Sequence, residues 1–179
     1  MRFNRLLTLV GIAVVFATAA AAAATAAFAA TGSPPTREVV AFEGYAAGTI
    51  VIKTAERRLY FVFEKGHAIR YPVGVGRPGR AWAGTTTIAG KYVQPAWSPP
   101  AAIRHDKPNL PDVIPGGTPE NPMGEAALTL SGGEYAIHGT NQPKSVGGFV
   151  SYGCIRMLNR DIVELYRMVD VGTPVIVLK

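Results

Sequence analysis

The chain contains few of the residues that would define several common functional classes. Its 179 residues include one cysteine, Cys154, and three histidines. One cysteine excludes an intrachain disulfide framework, and His105, His138 and Cys154 lack the paired spacing of a zinc finger. Basic residues exceed acidic ones by 18 to 12, but no basic block is interleaved with aromatic residues. Neither a metal site nor a nucleic-acid partner is therefore predicted.

Charge is also missing from most of the N-terminal stretch. After Arg2 and Arg5, residues 6–30 carry no charge and are rich in alanine, which is the composition of an export signal. The Ala-Phe-Ala sequence that ends at Ala29 predicts cleavage after that residue. An uncut membrane anchor is the alternative, because such a stretch could span a bilayer about 30 Å thick. We expect an exported, periplasmic protein that acts at the cell wall, with residues 1–29 as its signal peptide.

The rest of the chain is predicted to form a connection and one domain. Residues 30–45 include Gly32, Pro34 and Pro35, which are typical of a flexible linker. Residues 46–179 are long enough to bury a core and form the predicted domain. Its mild basicity would suit an acidic polymer such as a cell wall, although solubility alone explains it equally well.

Short runs of β-branched and aromatic residues predict most of the structure of this domain. These runs cover residues 49–54, 58–63, 68–73, 85–88, 127–130, 135–138 and 175–178. One helix is predicted after the cysteine, with Asn159 as its N-cap, because apolar residues follow a helical spacing at Ile162, Leu165, Tyr166 and Val169. The pattern predicts a mostly β fold built on an antiparallel meander.

Residues 93–124 are unusual because they contain eight prolines and cannot form regular structure for long. A compact domain seldom keeps so long a connection unless it has a task, such as walling a binding cleft. The alternative is a surface loop that the prolines stiffen and that has no such task. Trp82 and Trp97 lie in or near this segment, where they would line the cleft or pin the loop to the sheet.

The residues that could carry chemistry cluster late in the chain. His138 ends a predicted strand, and Cys154 follows it by 16 positions. A paired imidazolium would lower the thiol pKa from about 8.5 by about 2 units, and the ring could later protonate a leaving amine. Gly153 would let the backbone turn and aim N–H groups at an oxyanion. The alternative is an inert cysteine packed as a small hydrophobic residue.

Two stretches of this region carry a specific resemblance. They read Ile-His-Gly-Thr-Asn over residues 137–141 and Ser-Tyr-Gly-Cys-Ile-Arg-Met over residues 151–157. They resemble the active-site signature of the L,D-transpeptidases, the YkuD-type catalytic domain, and within it the ErfK/YbiS group. The similarity continues through residues 97–100 and 121–124 and covers nearly the whole domain. It implies a YkuD-like antiparallel β-sandwich with one helix following the catalytic cysteine loop.

The resemblance also implies a role for each residue of the signature. Cys154 would be the nucleophile, His138 its base, and Gly139 the residue whose carbonyl orients the imidazole. Amides at Tyr152 and Gly153, together with that of the cysteine, would form the oxyanion hole. Ser151, Asn141 and Arg156 match positions that would shape or line the site and bind the substrate. Many members of the family carry histidine where this chain has Tyr152, so any role of that second imidazole is absent here.

The implied activity is that of a peptidoglycan L,D-transpeptidase that needs no metal or other cofactor. The thiolate would attack the third residue of a tetrapeptide stem, release D-alanine and leave a thioester. An amine of another stem would then give a 3→3 crosslink, a lipoprotein lysine would give an anchored protein, and water would make the enzyme an L,D-carboxypeptidase. A noncatalytic wall-binding or structural domain with an inert thiol is the alternative from a different class.

Overall fold

The computed structural model describes residues 36–179. The predicted signal peptide, its cleavage site and the first part of the predicted linker lie outside the described residues. Within residues 36–179, no helix has the length and apolar character needed to cross a bilayer.

Strands dominate the described part of the chain, as predicted. They are β1 (Glu38–Ala41), β2 (Ile50–Lys53), β3 (Arg58–Glu64), β4 (His67–Pro72), β5 (Val75–Gly76), β6 (Gly84–Val93), β7 (Ala126–Leu130), β8 (Ala136–His138), β9 (Phe149–Ser151), β10 (Ile155–Arg156) and β11 (Pro174–Leu178). The helices are α1 (Ala101–Asp106), α2 (Asn159–Met168) and a 3-10 turn at Pro143–Ser145. All seven predicted strands and the predicted helix are present, and the fold class is confirmed.

Nine of the strands form one curled sheet in the order β1-β4-β3-β2-β11-β6-β7-β8-β10, and β5 pairs separately with β9. The first half of this sheet is the predicted meander, in which β3 turns into β4 at Gly66 with a φ of 81°. This tight turn needs a left-handed backbone at position 66, which glycine adopts at little cost. Most pairs are antiparallel, but β11 runs parallel to β2 and β10 runs parallel to β8.

One main core lies between the two halves of the curled sheet and the helix α2. The buried side chains of β2, β3 and β4 share it with those of β6, β7 and β8. From α2, Ile162 and Leu165 are fully buried in this core, which is what their helical spacing predicts. The helix packs against β7 and β8 and so supports the strand that ends at His138.

The predicted linker needs a correction where the structure describes it. Glu38–Ala41 forms the edge strand β1, which pairs antiparallel with β4. The ring of Phe42 stacks on that of Tyr60 at 4.2 Å and on that of Tyr45 at 5.3 Å. These aromatic contacts cover a second, smaller core cluster on the other face of the sheet, so this part of the predicted linker belongs to the domain.

The predicted start of α2 was also wrong in detail. Leu158 is the N-cap and makes no side-chain capping bond, while Asn159 is the first helical residue. The side-chain Oδ1 of Asn159 instead accepts from the backbone N–H of Thr140 at 2.9 Å and that of Glu125 at 3.3 Å. Asn159 therefore ties the start of the helix to the chain that leaves β8.

Candidate active site

A cavity of about 320 Å³ opens between the end of β8 and the proline-rich segment. One wall carries Ala136, His138, Ser151, Tyr152, Cys154 and Arg156. The opposite wall is made by residues of the 93–124 segment, namely Trp97, Ser98, Pro100, Ala102, Ile103, Pro122 and Met123. The segment thus walls a cleft, as predicted, and it includes the short helix α1.

Two devices hold the proline-rich wall in place. Trp97 and Ile114 exchange backbone hydrogen bonds of 2.9 and 2.8 Å. Asn121 is 2% exposed, and its side-chain amide donates to the carbonyls of Pro95, Ile114 and Pro115. Proline cannot donate a backbone hydrogen bond, so regular backbone pairing is limited in this segment. The buried amide of Asn121, which donates to three carbonyls, takes its place.

The topology explains how a cysteine so far along the chain reaches the histidine. In the parallel pair β8–β10, Ile155 lies opposite Ile137 and Arg156 lies opposite His138. Parallel neighbours need a crossover of a dozen residues or more, and residues 139–154 supply it. Cys154 directly precedes β10, so the pairing brings it beside β8, where it and His138 line the same cavity.

The His138 ring is 4% exposed and is held by the backbone. Its Nδ1 lies 2.7 Å from the carbonyl oxygen of Gly139, which is the contact predicted for Gly139. Because a carbonyl oxygen only accepts, Nδ1 carries the proton of the neutral ring and Nε2 keeps its lone pair. Burial, reinforced by the charge of Arg156, lowers the pKa of His138 to about 4.

Cys154 is half-buried and unpaired, and its electrostatics differ from the prediction. Burial raises the pKa of the thiol, although the backbone amide of Ala136 and the charge of Arg156 act in the opposite direction. Burial therefore opposes the predicted thiolate–imidazolium pair. Desolvation disfavours both charged forms, so a neutral thiol and a neutral imidazole are favoured in the cavity that the two residues share.

The thiol makes its hydrogen-bond contact with the backbone and not with the imidazole. Its polar contact is the carbonyl oxygen of Glu134, 4.0 Å from Sγ. Within residues 36–179, no hydrogen bond joins Cys154 to His138. The structure thus places the two predicted catalytic residues in one cavity with their side chains disengaged.

Ser151 organises the loop before the cysteine. Its Oγ donates to the carbonyl of Cys154 at 2.6 Å and accepts from the backbone N–H of Gly153 at 3.1 Å. The Gly153 amide is thereby occupied. The prediction that this amide is an oxyanion donor is therefore not met in this structure. Over the part of the chain that the structure describes, the backbone N–H groups of Tyr152 and Cys154 have no acceptor. These two remain as candidate donors.

Arg156 lines the cavity without a carboxylate partner among the described residues. Its Nη1 donates to Ser145 Oγ at 3.4 Å, and its buried Nε has no acceptor in residues 36–179. A half-buried guanidinium that lacks an anion is costly. The cavity can therefore accommodate a carboxylate.

Tyr152 belongs to a cluster that sequence reasoning missed. Its hydroxyl donates to Asp106 Oδ2 at 2.6 Å, and Arg77 donates to the same oxygen at 2.8 Å. The Arg77 guanidinium also lies 3.9 Å from the centroid of the Tyr152 ring. The cluster connects the end of α1 to the cysteine loop across the cavity. Asp106 and Tyr152 are 46 positions apart, and no local pattern relates them.

The resemblance implied that Asn141 lines the site, but Asn141 does not reach the cavity. It is exposed, and its amide donates to the carbonyl of Pro119 at 3.0 Å. The contact links the crossover to the proline-rich segment. His105 is exposed on α1, next to Asp106, and residues 36–179 contain no group of three or more His, Cys, Asp or Glu side chains suited to a metal ion.

The curled β-sheet and its cavity define a β-protein with a cysteine–histidine site. Residues 47–177 match the model of the YkuD family, described as the L,D-transpeptidase catalytic domain. The chain therefore belongs to the YkuD family of L,D-transpeptidase catalytic domains, which confirms the predicted resemblance.

Individual relatives agree with this family. The chain is 43% identical over 136 residues to the Escherichia coli (strain K12) protein described as "Probable L,D-transpeptidase YbiS", covering 70% of this chain and 43% of that protein. It is 40% identical over 135 residues to the protein of the same strain described as "Probable L,D-transpeptidase ErfK/SrfK", with 70% and 42% covered. The chain thus spans about two-fifths of the length of these curated relatives.

Solved structures have the same fold. The catalytic domain of an E. faecium L,D-transpeptidase acylated by ertapenem has a TM-score of 0.57 and 20% identity, over 75% of this chain and 100% of that one. A protein from Brucella melitensis, described as a probable carnitine operon oxidoreductase, has a TM-score of 0.55 and 36% identity, over 80% and 94%. The oxidoreductase description is of that protein alone, and the first similarity, at this low identity, is one of fold.

Proposed function

We propose that this protein is a peptidoglycan L,D-transpeptidase in which Cys154 is the nucleophile and His138 is its base. The observation that carries the proposal is the shared cavity at the end of β8, which both the half-buried Cys154 and the buried His138 line. Gly139 fixes the tautomer that leaves Nε2 able to accept a proton. Apo geometry of such pairs is often loose and tightens only with substrate.

The neutral state of the pair defines the first half-reaction. Rotation of the Cys154 side chain away from Glu134 would bring Sγ to the imidazole. As Sγ attacks the stem carbonyl, a carbon–sulfur bond forms and the thiol proton passes to His138. The imidazolium then protonates the leaving amine, the carbon–nitrogen bond to D-alanine breaks, and a thioester remains. The carbonyls of Gly139 and Pro122 favour the protonated ring, which helps His138 to hold the proton between these steps.

The second half-reaction transfers the acyl group. An incoming amine loses a proton to His138 and attacks the thioester, so a new carbon–nitrogen bond forms and the carbon–sulfur bond breaks. The sulfur leaves as a thiolate and recovers the proton from the imidazolium. An amine on another stem would give a 3→3 crosslink, a lipoprotein lysine would give an anchored protein, and water would release a tripeptide.

Arg156 supports an acidic substrate such as a peptidoglycan stem. Arg156 lines the cavity, and its positive charge has no carboxylate partner among the described residues. A substrate carboxylate would compensate this charge through charge-assisted hydrogen bonds. Arg80 lines the same cavity and would add to the attraction. The substrate is therefore expected to carry a carboxylate close to the scissile bond.

Action on peptidoglycan requires that the domain lie outside the cytoplasm. The uncharged, alanine-rich residues 6–30 support export to the periplasm. Partners in this proposal are the stem peptides themselves and, as one acceptor, an outer-membrane lipoprotein.

The test is mass measurement of the intact protein after exposure to ertapenem, the compound that acylates the E. faecium relative. We expect one adduct on the wild type and none on Cys154→Ala. Incubation with purified tetrapeptide muropeptides, with and without an added outer-membrane lipoprotein, should then yield crosslinked dimers, lipoprotein conjugates or tripeptides, which identifies the acceptor. A wild-type protein that forms no ertapenem adduct and leaves the muropeptides unchanged would refute the proposal.

The disengaged thiol favours one second candidate, a noncatalytic wall-binding domain. Sγ contacts the Glu134 carbonyl rather than the imidazole, and burial raises the thiol pKa. This candidate predicts that peptidoglycan binding is unaffected by Cys154→Ala and that neither form yields new muropeptides. Sedimentation with insoluble peptidoglycan, run beside the product assay, separates the two functions.

A further inference from the structure

Trp82 makes a directed contact with the backbone of the cysteine loop. It lies between β5 and β6 and is half-buried against the core. Its indole Nε1 donates to the carbonyl oxygen of Gly153 at 2.9 Å. The indole ring also stacks on Tyr135, with centroids 5.2 Å apart and planes 12° apart. The donor is therefore held in position by packing on a neighbouring ring.

The bonded carbonyl belongs to the peptide that joins Gly153 to Cys154. In a trans peptide the carbonyl of one residue and the N–H of the next point in opposite directions. The bond from Trp82 thus sets the direction of the Cys154 N–H. Within residues 36–179 that N–H has no acceptor, while the neighbouring Gly153 N–H is bound to Ser151 Oγ.

Tyr135 restricts the same peptide from another side. Gly153 has a φ of 130°, and a Cβ added there would lie 2.3 Å from Cε1 of the Tyr135 ring. Only glycine fits this backbone conformation and this close approach. Trp82 and Tyr135 therefore form a stacked pair that supports the loop, and of the two it is Trp82 that donates the hydrogen bond.

We propose that Trp82 is a positioning residue, whose indole N–H holds the Gly153–Cys154 peptide so that the Cys154 N–H faces the oxyanion formed on the donor carbonyl. The inference rests on the proposed nucleophilic role of Cys154. It adds a residue 71 positions away from Gly153 that acts only through the backbone. A preorganised donor matters because it needs no rearrangement as the negative charge develops.

Two reactions of the same sulfur test this role. Acylation by ertapenem or by p-nitrophenyl acetate passes through a tetrahedral oxyanion, whereas alkylation by iodoacetamide displaces iodide and forms none. Trp82→Phe keeps an aromatic ring and removes the N–H donor. We expect acylation by both reagents to fall about tenfold or more, since loss of a direct oxyanion donor costs roughly 100-fold. Alkylation should change less than about threefold, because it makes no demand on that donor.

Tyr92→Phe is the control, because Tyr92 is 50% exposed on β6 and is not among the residues that line the cavity. It should retain both acylation and alkylation. If Trp82→Phe fails to fold, benzothienylalanine at position 82 preserves the shape of the indole and removes only the N–H. Acylation and alkylation that fall together, or neither falling, would overturn the inference. A wild type that reacts with p-nitrophenyl acetate in a Trp82-dependent way but never with ertapenem or muropeptides would instead refute the proposed function.

Discussion

The imidazole Nδ1 of His138 lies 2.7 Å from the carbonyl oxygen of Gly139, its own neighbour in the chain. This local contact fixes the tautomer without a carboxylate partner. A carboxylate would strongly stabilise the imidazolium in the resting protein, whereas the neutral carbonyl raises the pKa of the ring too little to offset burial, which together with the charge of Arg156 lowers it to about 4. His138 is thereby unprotonated at neutral pH and available as a base.

Replacement of this base should separate acylation from simple thiol chemistry. His138→Gln should reduce the rate of ertapenem acylation about 100-fold to 10,000-fold, the range typical of a lost general base. Alkylation by iodoacetamide at high pH should persist, because hydroxide then deprotonates Cys154 directly. Rates of both reactions, followed by mass spectrometry, check the prediction. His67→Gln is the control, since His67 is exposed on β4, and an equal loss in both variants would contradict the assigned role.

The buried neutral imidazole should also make folding stability depend on pH. The pKa of His138 is about 4 in the folded protein and about 6.5 when unfolded. The unfolded chain therefore binds more protons between these values, so stability is complete above about pH 6.5 and is lost as the pH falls towards about 4. The difference corresponds to roughly 3 kcal/mol.

Urea unfolding at a series of pH values, for the wild type and His138→Gln, measures this contribution. The wild type should lose stability more steeply than the variant between about pH 6.5 and 4. The other titrating groups are common to both proteins, so their contributions cancel in the comparison. Parallel pH profiles would show that His138 is not buried in its neutral form.

The state of Cys154 gives a prediction for its alkylation. Since burial raises the pKa of the thiol, the iodoacetamide rate should keep rising past about pH 8.5, the ordinary pKa of a cysteine. A thiolate paired with an imidazolium would instead give a rate that levels off below neutrality. A pH profile of alkylation, with Cys154→Ala as the blank, distinguishes these cases. A plateau near pH 7 would mean that the resting pair is ionised.

Sequence patterns predicted the fold wherever a residue's environment followed from its neighbours. The alternation and β-branched character of β2, β3 and β4 gave these strands within one or two residues, and the helical spacing of Ile162 and Leu165 gave α2. Strands β5, β9 and β10 have two or three residues each, which is too short for a detectable period. β1 was missed because turn-forming residues precede it, whereas its place depends on contacts with β4.

The site was predictable in its residue types but not in its state. His138, Cys154 and the carbonyl of Gly139 follow from a motif, and the crossover length agrees with a parallel pairing of β8 and β10. The neutral charge state depends on burial by residues far along the chain, and so does the bond from Trp82 to Gly153. Asn141 and Asn159 were assigned by motif and by capping preference, but tertiary contacts gave them other partners.

The cluster of Asp106, Tyr152 and Arg77 should control local opening of the proline-rich cavity wall rather than the global stability of the domain. Asp106→Asn would weaken the contacts with Tyr152 and Arg77, since hydrogen bonds to the carboxylate hold its pKa well below the usual range. We expect several-fold faster thermolysin cleavage within residues 97–114 and an unchanged urea midpoint, because surface ion pairs add little to global stability.

A control lies in the same segment, where Asp112 pairs with Arg104. The Asp112 side chain is 90% exposed and does not contact the cysteine loop. Asp112→Asn should therefore leave the cleavage rate close to that of the wild type. Equal acceleration in both variants would show that the contact with the cysteine loop is not what holds the wall.

Asn159 provides a final test, because it links α2 to the end of β8. Its Oδ1 accepts from the N–H groups of Thr140 and Glu125. Asn159→Ala would leave two backbone donors without this acceptor, which should cost about 1–3 kcal/mol. Asn159→Asp keeps the oxygen and adds a negative charge in the first turn of a helix, where it is favourable. Urea unfolding should therefore rank Asn159→Asp close to the wild type and Asn159→Ala well below it.

The same pair of variants tests whether the link positions the base. Thr140 is two residues from His138, so a freed backbone there would loosen the ring held by Gly139. Ertapenem acylation should fall in Asn159→Ala and recover in Asn159→Asp. The rates are measured without urea, at a temperature where both variants are fully folded. If acylation is unchanged in Asn159→Ala while its stability drops, the link stabilises the fold alone, because the imidazole then keeps its place without it.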